Sequence, residues 1–130
     1  MSGVDELVAF LRAALDRDEQ VARGATQGAP WRIEGSSIVG RSWRASESSP
    51  ETLVVKHTWP QEAEHIVRWD PARVLAEVAF KRRILDRHAR VLERGNWAWF
   101  AGSESESGEE LRALAQPYAG QPGWRAEWAA

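Results

Sequence analysis

The first apolar pattern of the chain is helical. In residues 4–22 the apolar side chains recur every three or four positions, the spacing that brings them onto one face of an α-helix. The members of this face are Val4, Leu7, Val8, Leu11, Ala14, Leu15 and Ala22. Gly24 and the turn-forming residues that follow predict the end of this helix.

The pattern becomes that of β-strands between residues 31 and 59. The segments "WRIE", "SIVGRSW" and "TLVVKHTW" are short, rich in β-branched and aromatic residues, and bounded by turn residues. They predict a three-stranded antiparallel meander with a tight turn at Gly35-Ser36. The serine-rich stretch 45–51 is predicted to be a flexible loop.

Helical spacing returns after residue 59, with a short helix predicted over 60–68. The pair Asp70-Pro71 predicts the start of a long helix, because aspartate is a preferred N-cap and proline suits the first helical position. This helix is expected to end just before Gly95. A flexible acidic loop is predicted at 101–108, followed by a last helix to about residue 119.

These elements predict one α+β domain over residues 1–130. We expect the three-stranded antiparallel meander to pack against an N-terminal helix, a long central helix and a C-terminal helix, because this arrangement buries every apolar stripe. The chain has no cysteine, which excludes disulfides and thiolate chemistry. It also lacks a recognisable secretion signal and any apolar run long enough for a membrane span, so a cytoplasmic location is the default expectation.

The long central helix carries a polar stripe within its apolar face. On a helical wheel, Glu77, Lys81 and His88 fall between two apolar sectors. If exposed, the i,i+4 pair of Glu77 and Lys81 contributes only about 0.2–0.5 kcal/mol. If the pair is buried, removal of one member costs about 3–5 kcal/mol.

Other polar residues are candidates for the same neighbourhood. Asp18, on the apolar face of the first helix, is a candidate partner of Lys81 or His88, and His65 and Asp70 are further candidates. Two interpretations stay open, a structural salt-bridge network, which we favour, and a small ligand pocket. The chain contains no phosphate-binding loop, dinucleotide fingerprint or serine-hydrolase motif. We therefore predict no catalytic residue, no cofactor and no metal.

Four arginines form a second stripe on the outer face of the same helix, at Arg83, Arg87, Arg90 and Arg94. Arginine side chains match phosphate oxygens well, so this stripe is a candidate site for an anion or a nucleic acid. The alternative is a solvated basic face. A net charge of -2 and acidic segments nearby oppose a polyanion, which makes nucleic acid the weaker interpretation.

Eight tryptophans are unusual for a chain of this length. Trp31, Trp43 and Trp59 lie in strand patterns and are predicted to be in the core. The candidates for a protein-binding or homodimer surface lie in loop and tail segments and are Trp97, Trp99, Trp124 and Trp128. The alternative is a tail that folds back and closes the core.

Three segments of the chain resemble a known family. They are "VDELVAFLRAALDRDEQVAR", "HIVRWDPARVLAEVAFKRRILDRH" and "LRALAQPYAGQPGWRAEW". Together they look like a family of actinomycete proteins catalogued as a domain of unknown function. The resemblance implies that many relatives carry a cysteine cluster where this chain has "AGSESESGEE", and often a histidine at the position of Trp69. Any zinc role of those relatives does not carry over.

The function predicted from these patterns is that of a small intracellular, non-catalytic protein-interaction or adaptor module. Its partner is expected to be another protein or a second copy of the chain, with no membrane involved. The first alternative is an anion or nucleic-acid binder that uses the arginine stripe. The second is a small ligand-binding protein or enzyme with a pocket around Asp18, Glu77, Lys81 and His88.

Overall fold

Helices and strands follow one another in the order that the hydrophobic pattern predicts. The computed structural model describes residues 3–25, 28–46, 49–93 and 101–129. The helices are α1 (Gly3–Gly24), α2 (Pro60–Arg68), α3 (Pro71–Glu93) and α4 (Ala101–Ala115). The strands are β1 (Gly28–Glu34), β2 (Ser37–Ser46) and β3 (Ser49–Val55), and short 3-10 turns follow α4 at Gln116–Tyr118 and Ala126–Trp128. The predicted α+β class is confirmed.

Two segments predicted as flexible loops contain regular structure instead. In the first, 45–51, β2 ends at Ser46 and β3 begins at Ser49, and these two residues pair, while residues 47–48 lie outside the described residues. In the second, 101–108, the residues form the first half of α4. Glutamate is a good helix former and negative charge is favourable near a helix N-terminus, so the acidic composition supports a helix there.

The chain divides into two compact units. The sheet unit is Asp18–Val78, and the helical unit combines Met1–Arg17 with Ala79–Ala130. Helices α1 and α3 therefore each contribute residues to both units.

The sheet unit is built on the predicted meander. Its strand order is β1-β2-β3, with both pairs antiparallel. Glu34 pairs with Ser37 across the predicted tight turn, where Gly35 has a φ of 62°, a conformation that glycine adopts without strain. Helix α2 contacts β1 and β2 and buries Ala63.

The helical unit has an apolar core to which α1, α3, α4 and the tail contribute. Its buried side chains are Leu7, Leu11, Ala14, Leu15, Leu85, Ala89, Leu111, Ala115, Tyr118 and Trp128. The α1 members fall on the face predicted from the sequence, which confirms the helical period assigned there.

Candidate interaction surface

Asp70 is a buried structural carboxylate at the start of α3. It is 5% exposed. Its Oδ1 accepts a hydrogen bond from the backbone N–H of Arg73 at 2.9 Å, and its Oδ2 accepts one from the backbone N–H of Trp31 at 2.9 Å. The first bond confirms the predicted N-cap. The second joins the start of α3 to β1, so both oxygens have backbone donors and the residue has a structural role.

Glu77 and Lys81 each have a partner inside their own unit. In the sheet unit, Glu77 Oε1 lies 3.6 Å from an Nη2 of Arg73, one helical turn away, and both side chains are partly exposed. In the helical unit, Lys81 Nζ donates to Tyr118 Oη at 3.3 Å and lies 5.3 Å from the centre of that ring. Each contact stabilises its unit locally. The predicted meeting of Asp18 with Lys81 or His88 stays a prediction.

The remaining members of the predicted polar set differ in exposure. Asp18 is half-buried and has an interaction partner. His65 is exposed on α2, and its backbone carbonyl accepts a hydrogen bond from the N–H of Trp69 at 3.2 Å. Neither position by itself indicates a ligand site.

A cleft of about 390 Å³ lies between α3 and α4 of the helical unit. On one side it is lined by Arg87, His88 and Val91, and on the other by Glu106, Ser107, Glu109 and Glu110. His88 Nδ1 and Ser107 Oγ form a hydrogen bond of 2.9 Å that links the two helices. Ser107 is buried within the interior of α4. This bond fixes the distance between the two walls of the cleft.

The cleft has a positive charge on one wall, from Arg87, and negative charges on the other. Arg83, Arg87 and Arg90, which we call the arginine row, are all exposed. Glu106, Glu109 and Glu110, the glutamate row, are exposed as well. Within the ranges that the structure describes, no member of either row forms an ion pair. The fourth predicted arginine, Arg94, lies outside the described residues.

The C-terminal tryptophans close the core of the helical unit. The rings of Trp124 and Trp128 lie 5.8 and 5.2 Å from that of Phe10, centre to centre, and 5.7 Å from one another. Trp128 is only 4% exposed, and its carbonyl accepts a hydrogen bond from Gln116 Nε2 at 2.6 Å. The tail therefore folds back on α1, and Trp128 contributes to the core rather than to an exposed patch.

Gly123 lies in this returning segment in a left-handed backbone conformation that favours glycine. Its φ is 92°, and a Cβ there would meet the ring of Phe10 at 3.4 Å. Of the other tryptophan candidates, Trp97 and Trp99 lie outside the described residues, as does the side chain of Trp43.

Two exposed tryptophans frame α2 in the sheet unit. Trp59 is the N-cap residue and is 71% exposed, and Trp69 is the C-cap residue and is 49% exposed. The prediction that Trp59 lies in the core is therefore wrong. The short helix that follows it buries only Ala63 and leaves the indole uncovered.

Local contacts orient both of these indoles. The ring of Trp59 lies 6.1 Å from that of His57 in an edge-on arrangement. The guanidinium of Arg73 lies over the ring of Trp69, 4.2 Å from its centre. The two side chains are thus held in place while much of their surface faces solvent.

The sequence pattern of a family of unknown function, DUF6221, matches residues 4–130. The chain belongs to this family. No curated protein and no solved structure matches the chain. DUF6221 membership confirms the resemblance to a family of unknown function and carries no activity with it.

Two further findings describe this DUF6221 protein. Within the described ranges, no helix combines the length and apolar composition needed to cross a lipid bilayer. In the same part of the chain, His, Asp and Glu side chains do not come together in any group of three or more that could hold a metal ion. The absence of a structural metal stays a prediction.

Sequence reasoning missed three features of this DUF6221 chain. They are the exposed indoles around α2, the exposed ring of Phe80 and the hydrogen bond between His88 and Ser107. The sequence does contain a signal for the exposed indoles. Trp59 directly precedes Pro60, and Trp69 lies two residues before Pro71, so both indoles stand at helix boundaries, where neighbouring turns offer little cover.

Proposed function

We propose that the protein is a protein-interaction module whose binding surface is centred on the two indoles that frame α2. The observation that carries this proposal is the exposure of Trp59 and Trp69, at 71% and 49%. Tryptophan is enriched among the residues that dominate binding energy at protein interfaces. Fully burying a side chain of this size against a partner gives a large apolar contribution.

The geometry of the two indoles supports recognition of one partner by both. Trp59 and Trp69 are ten residues apart along a helix, which corresponds to roughly 15 Å at 1.5 Å per residue. That separation lies well within the extent of a single protein interface. Their edge-on and cation–π contacts also restrict the rings before binding, which lowers the entropy lost when a partner immobilises them.

The anion-binding alternative has less support. The arginine row has no ion-pair partner within the described part of the chain, which favours a basic site. The glutamate row lines the same cleft as Arg87, however, and would repel a phosphate backbone. A polyanion that reaches Arg87 therefore meets three carboxylates as well.

The pocket alternative is also weaker. Asp70 is committed to two backbone donors, and Glu77 and Lys81 each have a local partner. The pair formed by His88 and Ser107 has a nucleophile and a base within hydrogen-bond reach, but Ser107 is buried inside a helix, whose backbone N–H groups are used by the helix.

We also propose a cellular location and a kind of host organism for this interaction. The quoted sequence segments resemble actinomycete proteins, and the lack of cysteine suits a reducing cytoplasm. We therefore place the interaction in the cytoplasm of an actinomycete.

The test is affinity capture from the native host with quantitative mass spectrometry. The bait is the full chain, compared with the Trp59→Ser and Trp69→Ser variants and with Val21→Ser as a control. Val21 is another exposed apolar residue of the sheet unit. We expect one specific partner to be retained by the control and lost from both tryptophan variants. Equal recovery by all four baits would refute the role of this surface.

A folding check accompanies the capture. Substitution of exposed residues away from special contacts usually changes stability by less than about 0.5 kcal/mol. Trp59→Ser is therefore expected to melt like the unmodified chain. A large loss of stability would show that Trp59 supports the fold, and the loss of a partner would then no longer point to this surface.

A further inference from the structure

One side of the helical unit presents an exposed aromatic ring beside unpaired charge. Phe80 is 52% exposed on α3. At 100° per residue, one line along this helix passes through Phe80, Arg87 and Val91. Arg83 and Arg90 lie beside that line. Exposed aromatic and arginine side chains together are the composition found at the centre of protein interfaces.

The arginine row and the glutamate row meet at one cleft, through Arg87. Members of both rows line the single cleft between α3 and α4, with Arg87 on one wall and all three glutamates on the other. The hydrogen bond between His88 and Ser107 holds the walls at a set distance. Within the described part of the chain, no side chain of the arginine row lies within ion-pair distance of a side chain of the glutamate row across the cleft. Both rows are thus available to another molecule.

A partner that neutralises both rows must itself carry an acidic row and a basic row side by side. A polyanion satisfies only the arginine row and is repelled by the glutamate row. A second copy of this chain carries both rows at the required spacing. In a contact with two-fold symmetry the same patch is used by both copies, so each arginine row can face the glutamate row of the other copy.

We propose that the α3–α4 side of the helical unit is a homodimer contact, in which the arginine row of each copy docks on the glutamate row of the other. The exposed ring of Phe80 supplies the apolar part of the contact. Charge complementarity of this kind sets the orientation of docking and the rate of association. Its residues all belong to the helical unit, whereas the tryptophans that frame α2 belong to the sheet unit.

The first test is the oligomeric state of the full chain by sedimentation velocity at low and high ionic strength. The Debye length falls from about 30 Å at 0.01 M to about 3 Å at 1 M, so salt screens a contact made by exposed charge rows. We expect a concentration-dependent dimer at low ionic strength that shifts to monomer at high ionic strength. A chain that stays monomeric at low ionic strength over the whole concentration range would overturn the proposal.

The second test reverses each row in turn. One variant changes the arginine row to glutamate, and the other changes the glutamate row to arginine. Each variant alone should be monomeric, because both of its faces then carry the same charge. An equimolar mixture should form a heterodimer, because every reversed row then meets an opposite one. No effect of either reversal on self-association would contradict this assignment.

Two further variants cover folding and specificity. If a triple reversal unfolds the chain, the single changes Arg87→Glu and Glu109→Arg give the same mixing test with less perturbation. Arg17→Glu is the matched control, since Arg17 is an exposed arginine of the same unit outside the cleft. It should dimerise like the unmodified chain. If Arg17→Glu is as disruptive as Arg87→Glu, general charge explains the result and the proposal fails.

Phe80→Ala tests the apolar part without a change in charge. We expect it to weaken the dimer, while the melting temperature of the monomer falls only slightly, because about half of the ring is already exposed to solvent. Anisotropy with a labelled duplex is the final comparison. Duplex binding that competes with self-association and depends on the arginine row would assign this face to nucleic acid instead.

Discussion

Replacement of Asp70 tests how the long helix is attached to the sheet within the sheet unit. Asp70→Ala removes two acceptors at once, the N-cap oxygen for the Arg73 N–H and the oxygen for the Trp31 N–H. Loss of an N-cap costs about 1 kcal/mol. A buried donor left without an acceptor costs about 1–3 kcal/mol, and the lower half of that range applies here because Trp31 is only half-buried. We therefore expect a total loss of about 2–3 kcal/mol.

Asp70→Ser separates the two contributions. Serine is as good an N-cap as aspartate, so the bond to the Arg73 N–H is retained. Its single short hydroxyl cannot also serve the Trp31 N–H. The serine variant should therefore lose about 1–2 kcal/mol, and the difference from alanine, about 1 kcal/mol, measures the cap alone.

Urea unfolding followed by circular dichroism measures these differences. The control is Asp16→Ala, which removes an exposed carboxylate that lies 2.7 Å from Arg82 Nη2. Exposed ion pairs contribute at most about 1 kcal/mol, so the control should be close to the unmodified chain. If Asp70→Ala is no worse than this control, Asp70 does not hold α3 to β1 and the account of the sheet unit is wrong.

Three further outcomes are expected. Trp128→Ala should lose about 3–5 kcal/mol in urea melts, because it empties an aromatic site in the core. A loss below about 1 kcal/mol would place this ring outside the core. Lys81→Met should stay within about 1.5 kcal/mol, since it removes one part-buried hydrogen bond and keeps the aliphatic stem. A larger loss would mean that its charge is required. Fluorescence anisotropy should detect at most weak binding of duplex DNA, lost near physiological salt. Tight duplex binding at physiological salt that is lost when the arginine row is changed to glutamine would favour nucleic-acid binding over protein interaction.

The local elements could be predicted from the sequence because their causes are local. The apolar face of α1 is a repeat along one segment, and its buried residues are those that the repeat selected. The start of α3 depends on an aspartate and a proline that act on the helical turn next to them. The turn at Gly35 likewise needs only its own backbone conformation.

Composition alone was misleading where local signals were weak. The acidic segment 101–108 contains serine, glycine and glutamate, which are compatible with both a loop and a helix. In the structure this segment is helical, and the bond of its Ser107 to His88 is one contact that favours that choice. Most helical stability in proteins comes from such tertiary packing rather than from propensity.

Only the tertiary structure decided which tryptophans are buried and which polar residues meet. Trp128 lies near the end of the chain and is in the core, whereas Trp59 follows a strand and faces solvent. Asp70 was identified as a cap, but its second bond goes to Trp31, 39 residues away. The type of a residue determines which chemical groups it can contact. Which group comes within reach depends on how distant segments pack, and no periodicity within one segment carries that information.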